Sequence, residues 1–180
     1  MSTPRPIIIG AALTVTQLAE VIGLDLSEVE AVLSAQGEPS GPDDIVAGHL
    51  AVEVGRALGV ALAIEPRDLA LEYLYSFETS GSPPEMEGRA GRLARAVLDD
   101  LDGLDSRIEE VSEHWSVSRM PVVDRNVLRI ALHELEHHPS IPTAVVVSEA
   151  VRLASTYSTE KSASFVNGVL SALARIARGE

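Results

Sequence analysis

Five consecutive residues in the last third of the chain, His133-Glu134-Leu135-Glu136-His137, have the types and spacing of a zinc hydrolase site. In the pattern H-E-x-x-H two imidazoles one helical turn apart hold the metal and the glutamate between them activates a water. A catalytic zinc needs a third protein ligand, and the downstream candidates are His138, Glu149 and Glu160. His138 points about 100° away from His137 on a helix, and the other two lie on separate segments. Pro139 ends the helix at once, and imidazoles also suit a helix end, where they meet the last free carbonyls. That plainer reading is preferred, and no metal is assigned. The chain has no Gly-rich phosphate loop, and Ser162, Ser164 and Ser171 have no histidine near them in sequence. Asp99-Asp100 and Glu109-Glu110 read as solvated helix faces. The sequence therefore predicts a protein that is not an enzyme and needs no cofactor.

The elements around this motif are three helical patterns between Val123 and Arg178. Val127, Leu128, Ile130, Ala131, Leu132 and Leu135 recur at three- and four-residue spacing, which buries one helical face. A second helix opens at Pro142, where a missing N–H costs nothing, and carries Val146, Ala150, Val151 and Leu153. A third follows Thr159, with Phe165, Val166, Val169, Leu170, Leu173 and Ile176 as its apolar stripe. Inside it, Gly168 costs about 1 kcal/mol relative to alanine. That points to close packing of a neighbouring helix or to a ligand, and Phe165 is either core or an exposed stacking ring.

At 180 residues and 46% apolar content the chain can bury a core, and with 3% aromatics that core is built from Ala, Val, Leu and Ile. No apolar run approaches the length that spans a membrane. The opening MSTPRPIIIGAAL is a poor signal peptide, so the expected location is cytoplasmic. The chain has no cysteine, which removes disulfides and thiolate chemistry. Its net charge of −13 opposes approach to nucleic acid phosphates in general, and residues 1–60 carry two arginines against eight acids.

Residues 13–37 predict two short helices, the first capped by Thr14 or Thr16 and ended by Gly23, the second capped by Ser27 and closed by Gly37. The spacing is that of a helix-turn-helix, but the second helix, SEVEAVLSA, has two glutamates and no base, so DNA is excluded as a partner. This stretch resembles the small N-terminal helical module of bacterial translation initiation factor two. Asp43 or Asp44 is expected to start a third helix that ends at Gly59 or continues through Val60–Ile64. Further helices are expected from Pro66, from Arg89 to Leu101 and from Asp105 to Trp115, with Thr79 to Pro84 as a loop. No alternating strand pattern of useful length is visible, so the fold class is all-α.

Three ordered stretches carry a second resemblance: DRNVLRIALHEL at 124–135, Ile141-Pro142 with VVSEAVRLA at 146–154, and Glu160-Lys161-Ser162 with FVNGVL at 165–170. Together with RDLALEYLY at 67–75 they resemble the NusB family of bacterial transcription antitermination factors over about residues 61–180. The resemblance implies two packed helical subdomains, here preceded by an acidic helical module at residues 1–60. It also implies a non-enzymatic role with a NusE-like ribosomal protein, the RNA polymerase antitermination complex and boxA-type RNA. Tyr75, Arg129 and Glu134 fall where partner contacts are expected. His133 stands where the family usually has an aromatic such as Tyr, which weakens the zinc reading further. The family's first helix usually starts with an arginine-rich run that grips phosphates. Here that stretch is VALAIEPR, and only Arg67 remains. RNA contact is accordingly expected to be weakened or relocated to Arg67, Lys161 and Phe165. The main alternative is an adaptor that has lost RNA and binds proteins only; a remote one is the zinc hydrolase of His133, Glu134 and His137. NusB-like domains also front certain RNA methyltransferases, but a chain ending at Glu180 is expected to lack the methyl-transfer domain.

Overall fold

A computed structural model describes residues 5–81, 88–112 and 115–179. The chain divides into two compact units, residues 1–69 and 70–180. The division falls later than the boundary expected after residue 60, because residues 62–64 pair with the start of the chain.

The first unit runs β1 (Ile7–Ile9), β2 (Ala12–Thr14), α1 (Val15–Ile22), α2 (Leu26–Ala35), β3 (Ile45–Ala47), α3 (Gly48–Ala57) and β4 (Leu62–Ile64). Strand β1 lies parallel to β4 with Ile7 opposite Leu62, and β2 lies antiparallel to β3 with Ala12 opposite Ala47. Strands of three residues are too short to show an alternation in the sequence, and all four here have that length. Residues 45–47, expected as helix, and residues 62–64, which one of the two readings continued as helix, are strands. The Asp44 carboxylate accepts from the Gly41 N–H at 2.8 Å, closing a turn instead of starting a helix. Thr14 does cap α1: its hydroxyl accepts from the Gln17 N–H at 3.1 Å, while the Gln17 side chain accepts from the Thr14 N–H at 2.9 Å. Gly23 ends that helix at φ 76°. Helix α2 starts two residues earlier than expected, with Asp25 as N-cap and Glu28 accepting from the Asp25 N–H at 3.3 Å. The core gathers Val15, Leu18, Val29, Leu33, Val46, Ala51 and Val54. Gly48 is obligatory there, because a Cβ would stand 2.9 Å from the Gly10 carbonyl oxygen.

The second unit is entirely helical among its described residues. It comprises most of α4 (Pro66–Ser80), then α5 (Gly88–Asp99), α6 (Leu101–Val111), a short 3-10 turn (Val117–Arg119), α7 (Val122–His137), α8 (Thr143–Tyr157) and α9 (Ser162–Arg178). Helix α7 is the axis: Asp124 and every residue from Asn126 to Leu135 are buried, and α5, α6, α8 and α9 pack around it. A helix enclosed on all sides must settle its polar residues internally. Its C-terminal carbonyls are met mainly from α9. Arg178 donates to the carbonyls of Leu135 at 3.0 Å, Glu134 at 3.4 Å and His138 at 3.2 Å, and beyond the helix to that of Ile141 at 2.6 Å, while the His133 carbonyl accepts from His137 Nδ1 at 3.2 Å. Helix α6 starts and stops earlier than expected, so Trp115 lies outside it. There the Ser112 hydroxyl donates to the Trp115 carbonyl at 2.8 Å and Trp115 is 55% exposed. Of the expected loop at Thr79–Pro84, Thr79 and Ser80 are the last residues of α4, and residues 82–84 lie outside the described residues.

Candidate nucleic-acid interface

The first turn of α7 holds the site together. Asp124, almost fully buried, accepts from Ser158 Oγ at 2.5 Å and from Ser162 Oγ at 2.9 Å, which ties the α8–α9 junction to α7. The Ser162 hydroxyl in turn accepts from the Thr159 N–H at 3.2 Å. Lys161 and Phe165 flank this anchored serine, so their backbone positions follow from it. Both line a cavity of about 260 Å³ whose other walls include Trp115, Met120 and Pro121. Trp115 and Phe165 also line a wider adjoining cleft of about 460 Å³ that reaches Gly168. The result is an aromatic ledge between two depressions with one ammonium at its edge, a geometry suited to stacking a base beside a phosphate.

Trp115 was missed by sequence reasoning because its segment resembles a helix end; a lone tryptophan in a chain with 3% aromatics was the available signal. Gly168 is not a packing glycine. It is exposed, and a Cβ built there would have nothing within 4 Å.

The other predicted residues are placed differently. Arg67 belongs to the first unit, where its guanidinium pairs with Glu65 at 3.4 Å and the side chain is 13% exposed. Burial raises the Glu65 carboxyl above its usual range, more than the Arg67 and Asp68 N–H groups lower it. Arg67 is thus engaged locally by Glu65. Arg129 and Glu134 are 5% and 4% exposed, so neither presents a partner surface. Arg129 grips Asp105 through Nε and Nη2, both at 2.7 Å, and its Nη1 donates to Glu78 and, at 2.9 Å, to Asn126 Oδ1. Arg125 donates to the same Glu78. Burial would raise the Glu78 carboxyl, but the Arg125 hydrogen bond and the charges of Arg129 and Arg125 outweigh it and hold it low. Tyr75, by contrast, is 46% exposed on α4.

His133 stacks on His137 with ring centroids 4.5 Å apart and planes 18° apart, and meets His138 edge-on. No group of three metal-ligating side chains is assembled among the described residues. Burial, then the neighbouring His137 and His138, push the His133 imidazole down to about 4. Because this lies below the value of about 6.5 in an unfolded chain, the unfolded state binds the extra proton first. Stability is therefore expected to hold above pH 6.5 and to fall between pH 6.5 and 4, by roughly 3 kcal/mol at about 1.4 kcal/mol per pH unit. Urea denaturation at pH 7 and 4.5 measures this. His133→Phe, which keeps the stack, should flatten the difference; an unchanged slope in that variant assigns the acid sensitivity elsewhere.

A buried central helix with four helices packed around it defines an all-helical domain, and solved structures of NusB share that fold. The chain belongs to the NusB family, whose profile matches residues 65–175. It is 40% identical over 123 residues to the transcription antitermination protein NusB of Sorangium cellulosum, covering 60% of this chain and 88% of that one. The corresponding protein of Citrifermentans bemidjiense is 37% identical over 133 residues, covering 61% and 92%. Among solved structures, NusB of T. maritima matches with TM-score 0.57 and 32% identity over 61% of this chain and 88% of that one. A structure of antitermination factors NusB and NusE in complex with dsRNA matches with TM-score 0.54 and 30% identity, over 62% and 94%.

Proposed function

We propose that the chain acts, without catalysis, in a cytoplasmic RNA polymerase antitermination complex by binding boxA-type RNA together with a NusE-like ribosomal protein. Residues 61–180 carry this role, and residues 1–60 form an acidic module that precedes them in the chain. The observation that carries the reading is the meeting of Lys161 and Phe165 with Trp115 on one ledge anchored by Asp124. Support comes from a relative whose structure holds NusE and RNA. With Arg67 engaged by Glu65, stacking supplies more of the RNA affinity than phosphate contacts do. Tyr75 is the candidate contact for the protein partner.

Fluorescence anisotropy with a boxA-type RNA, across a salt series and with or without NusE, tests this. Phe165→Ala and Trp115→Ala are each expected to cost about 1–3 kcal/mol of RNA affinity. Lys161→Ala should lower the salt slope by about one phosphate contact. Tyr75→Ala should reduce the enhancement by NusE and leave binding of RNA alone unchanged. Tight binding with a steep salt slope that survives loss of both rings would overturn the ledge as the RNA site.

A further inference from the structure

On the second unit, away from the Asp124 anchor, α5 and the C-terminal turn of α7 enclose a separate cleft of about 490 Å³. Its size is that of a small-molecule site, since such pockets commonly measure about 300–1,000 Å³. Two exposed arginines three residues apart on α5, Arg89 and Arg92, stand on its wall. Arg107, Arg125, Arg129 and Arg152 are all held in salt bridges. Arg89 and Arg92 form none with a described residue, so no described carboxylate occupies their donors. Glu134 is the one carboxylate among the lining residues. In a chain of net charge −13 this cleft is therefore a local cationic spot. The same arginines oppose a metal ion.

Apolar side chains and imidazoles make up most of the remaining walls. Leu93, Ala96 and Ile141 line the cleft together with the His133–His137 stack. His133 is 8% exposed, and its Nδ1 is buried with no hydrogen-bond partner among the described residues. The groups facing this ring are Arg89, Arg92 and Glu134 in the cleft, His137 and His138 beside it, and Asp100, whose charge favours its proton. Burial and the two neighbouring imidazoles prevail, so the ring is neutral at physiological pH and offers a π face, not a charge.

We propose that this cleft binds a nucleoside phosphate, with the phosphate on Arg89 and Arg92 and the base against the imidazole stack and the Leu93, Ala96 and Ile141 side chains. Paired guanidinium groups supply forked donors that match phosphate oxygens, and planar imidazoles suit a planar base. The site is independent of the Trp115–Phe165 ledge.

Calorimetric titration of the full chain with adenosine 5′-monophosphate, adenosine and inorganic phosphate tests it, with histidine ring NMR to locate the ligand. The monophosphate is expected to saturate and to shift His133 and His137. Adenosine and inorganic phosphate should each bind at least about tenfold more weakly, because each engages half of the site. The double variant Arg89→Ala/Arg92→Ala alters exposed positions only; it should lose binding about tenfold or more, while Phe165→Ala leaves it unchanged. A single-stranded oligoribonucleotide that displaces the monophosphate identifies an RNA strand as the source of the nucleotide; failure to displace it identifies a free nucleotide. Equal affinity for adenosine and its monophosphate, an unaffected double variant, or no saturation at millimolar concentration would overturn the proposal.

Discussion

Arg129→Ala is expected to destabilise the protein by about 3–5 kcal/mol, the usual cost of removing one partner from a buried ion pair. The alanine leaves Asp105 without its two 2.7 Å bonds and Glu78 with Arg125 alone. Arg129→Lys should recover only part of the loss, because an ammonium cannot fork across Asp105 while reaching Glu78 and Asn126. The Asp105 and Glu78 charges raise the guanidinium's proton affinity against the lowering effect of burial, so the side chain stays charged throughout the accessible pH range. Glu78 is the partner that titrates. Its folded value lies below the ordinary one, so its stabilising contribution is present above about pH 4.5 and is lost as the pH falls through the folded value. Chemical denaturation of the two variants at neutral pH measures the effect. A loss under about 1 kcal/mol for the alanine variant would show that Arg129 is not the tie between α4, α6 and α7.

Asp124→Ala is expected to cost about 2–4 kcal/mol and to weaken RNA binding as well. Two hydroxyls, of Ser158 and Ser162, would lose a charged acceptor in a buried setting, and each such bond is worth about 1.5–3 kcal/mol. With the α8–α9 junction released, Lys161 and Phe165 lose the anchored serine between them. Asp124→Asn keeps an acceptor oxygen and should retain a larger share of both properties. Denaturant midpoints and anisotropy on the same samples separate the two effects. Full stability together with full RNA affinity in Asp124→Ala would mean that the ledge is held by apolar packing alone.

The aliphatic periodicity of residues 123–178 made three helices legible because each side chain reports its own face of a 3.6-residue repeat. The Thr14 cap and the Gly23 stop were legible for the same local reason, as both act within one turn. Strands of three residues fell below that resolution: β1 and β4 stabilise each other across more than fifty residues of chain, and neither segment carries the pairing alone. The candidate site divides in the same way. Lys161 and Phe165 were marked by residue type and order, whereas Trp115 joins them only because α6 stops at Val111 and the chain turns through Ser112.

What the sequence by itself determined is the helical family domain, the acidic balance and the order of the motifs, all properties of neighbours along the chain. Only the tertiary structure decided which charged residues are available. Arg129 and Glu134 look like surface residues in a one-dimensional pattern, yet α7 is enclosed on every side and buries both. Arg67 looks like the surviving phosphate contact, yet Glu65 holds it. The His133-Glu134-Leu135-Glu136-His137 motif looks like a metal site, yet its two histidine rings stack face to face beside two arginines. A charge or a ligand set acquires its role from what packs against it, and that depends on contacts distant in sequence.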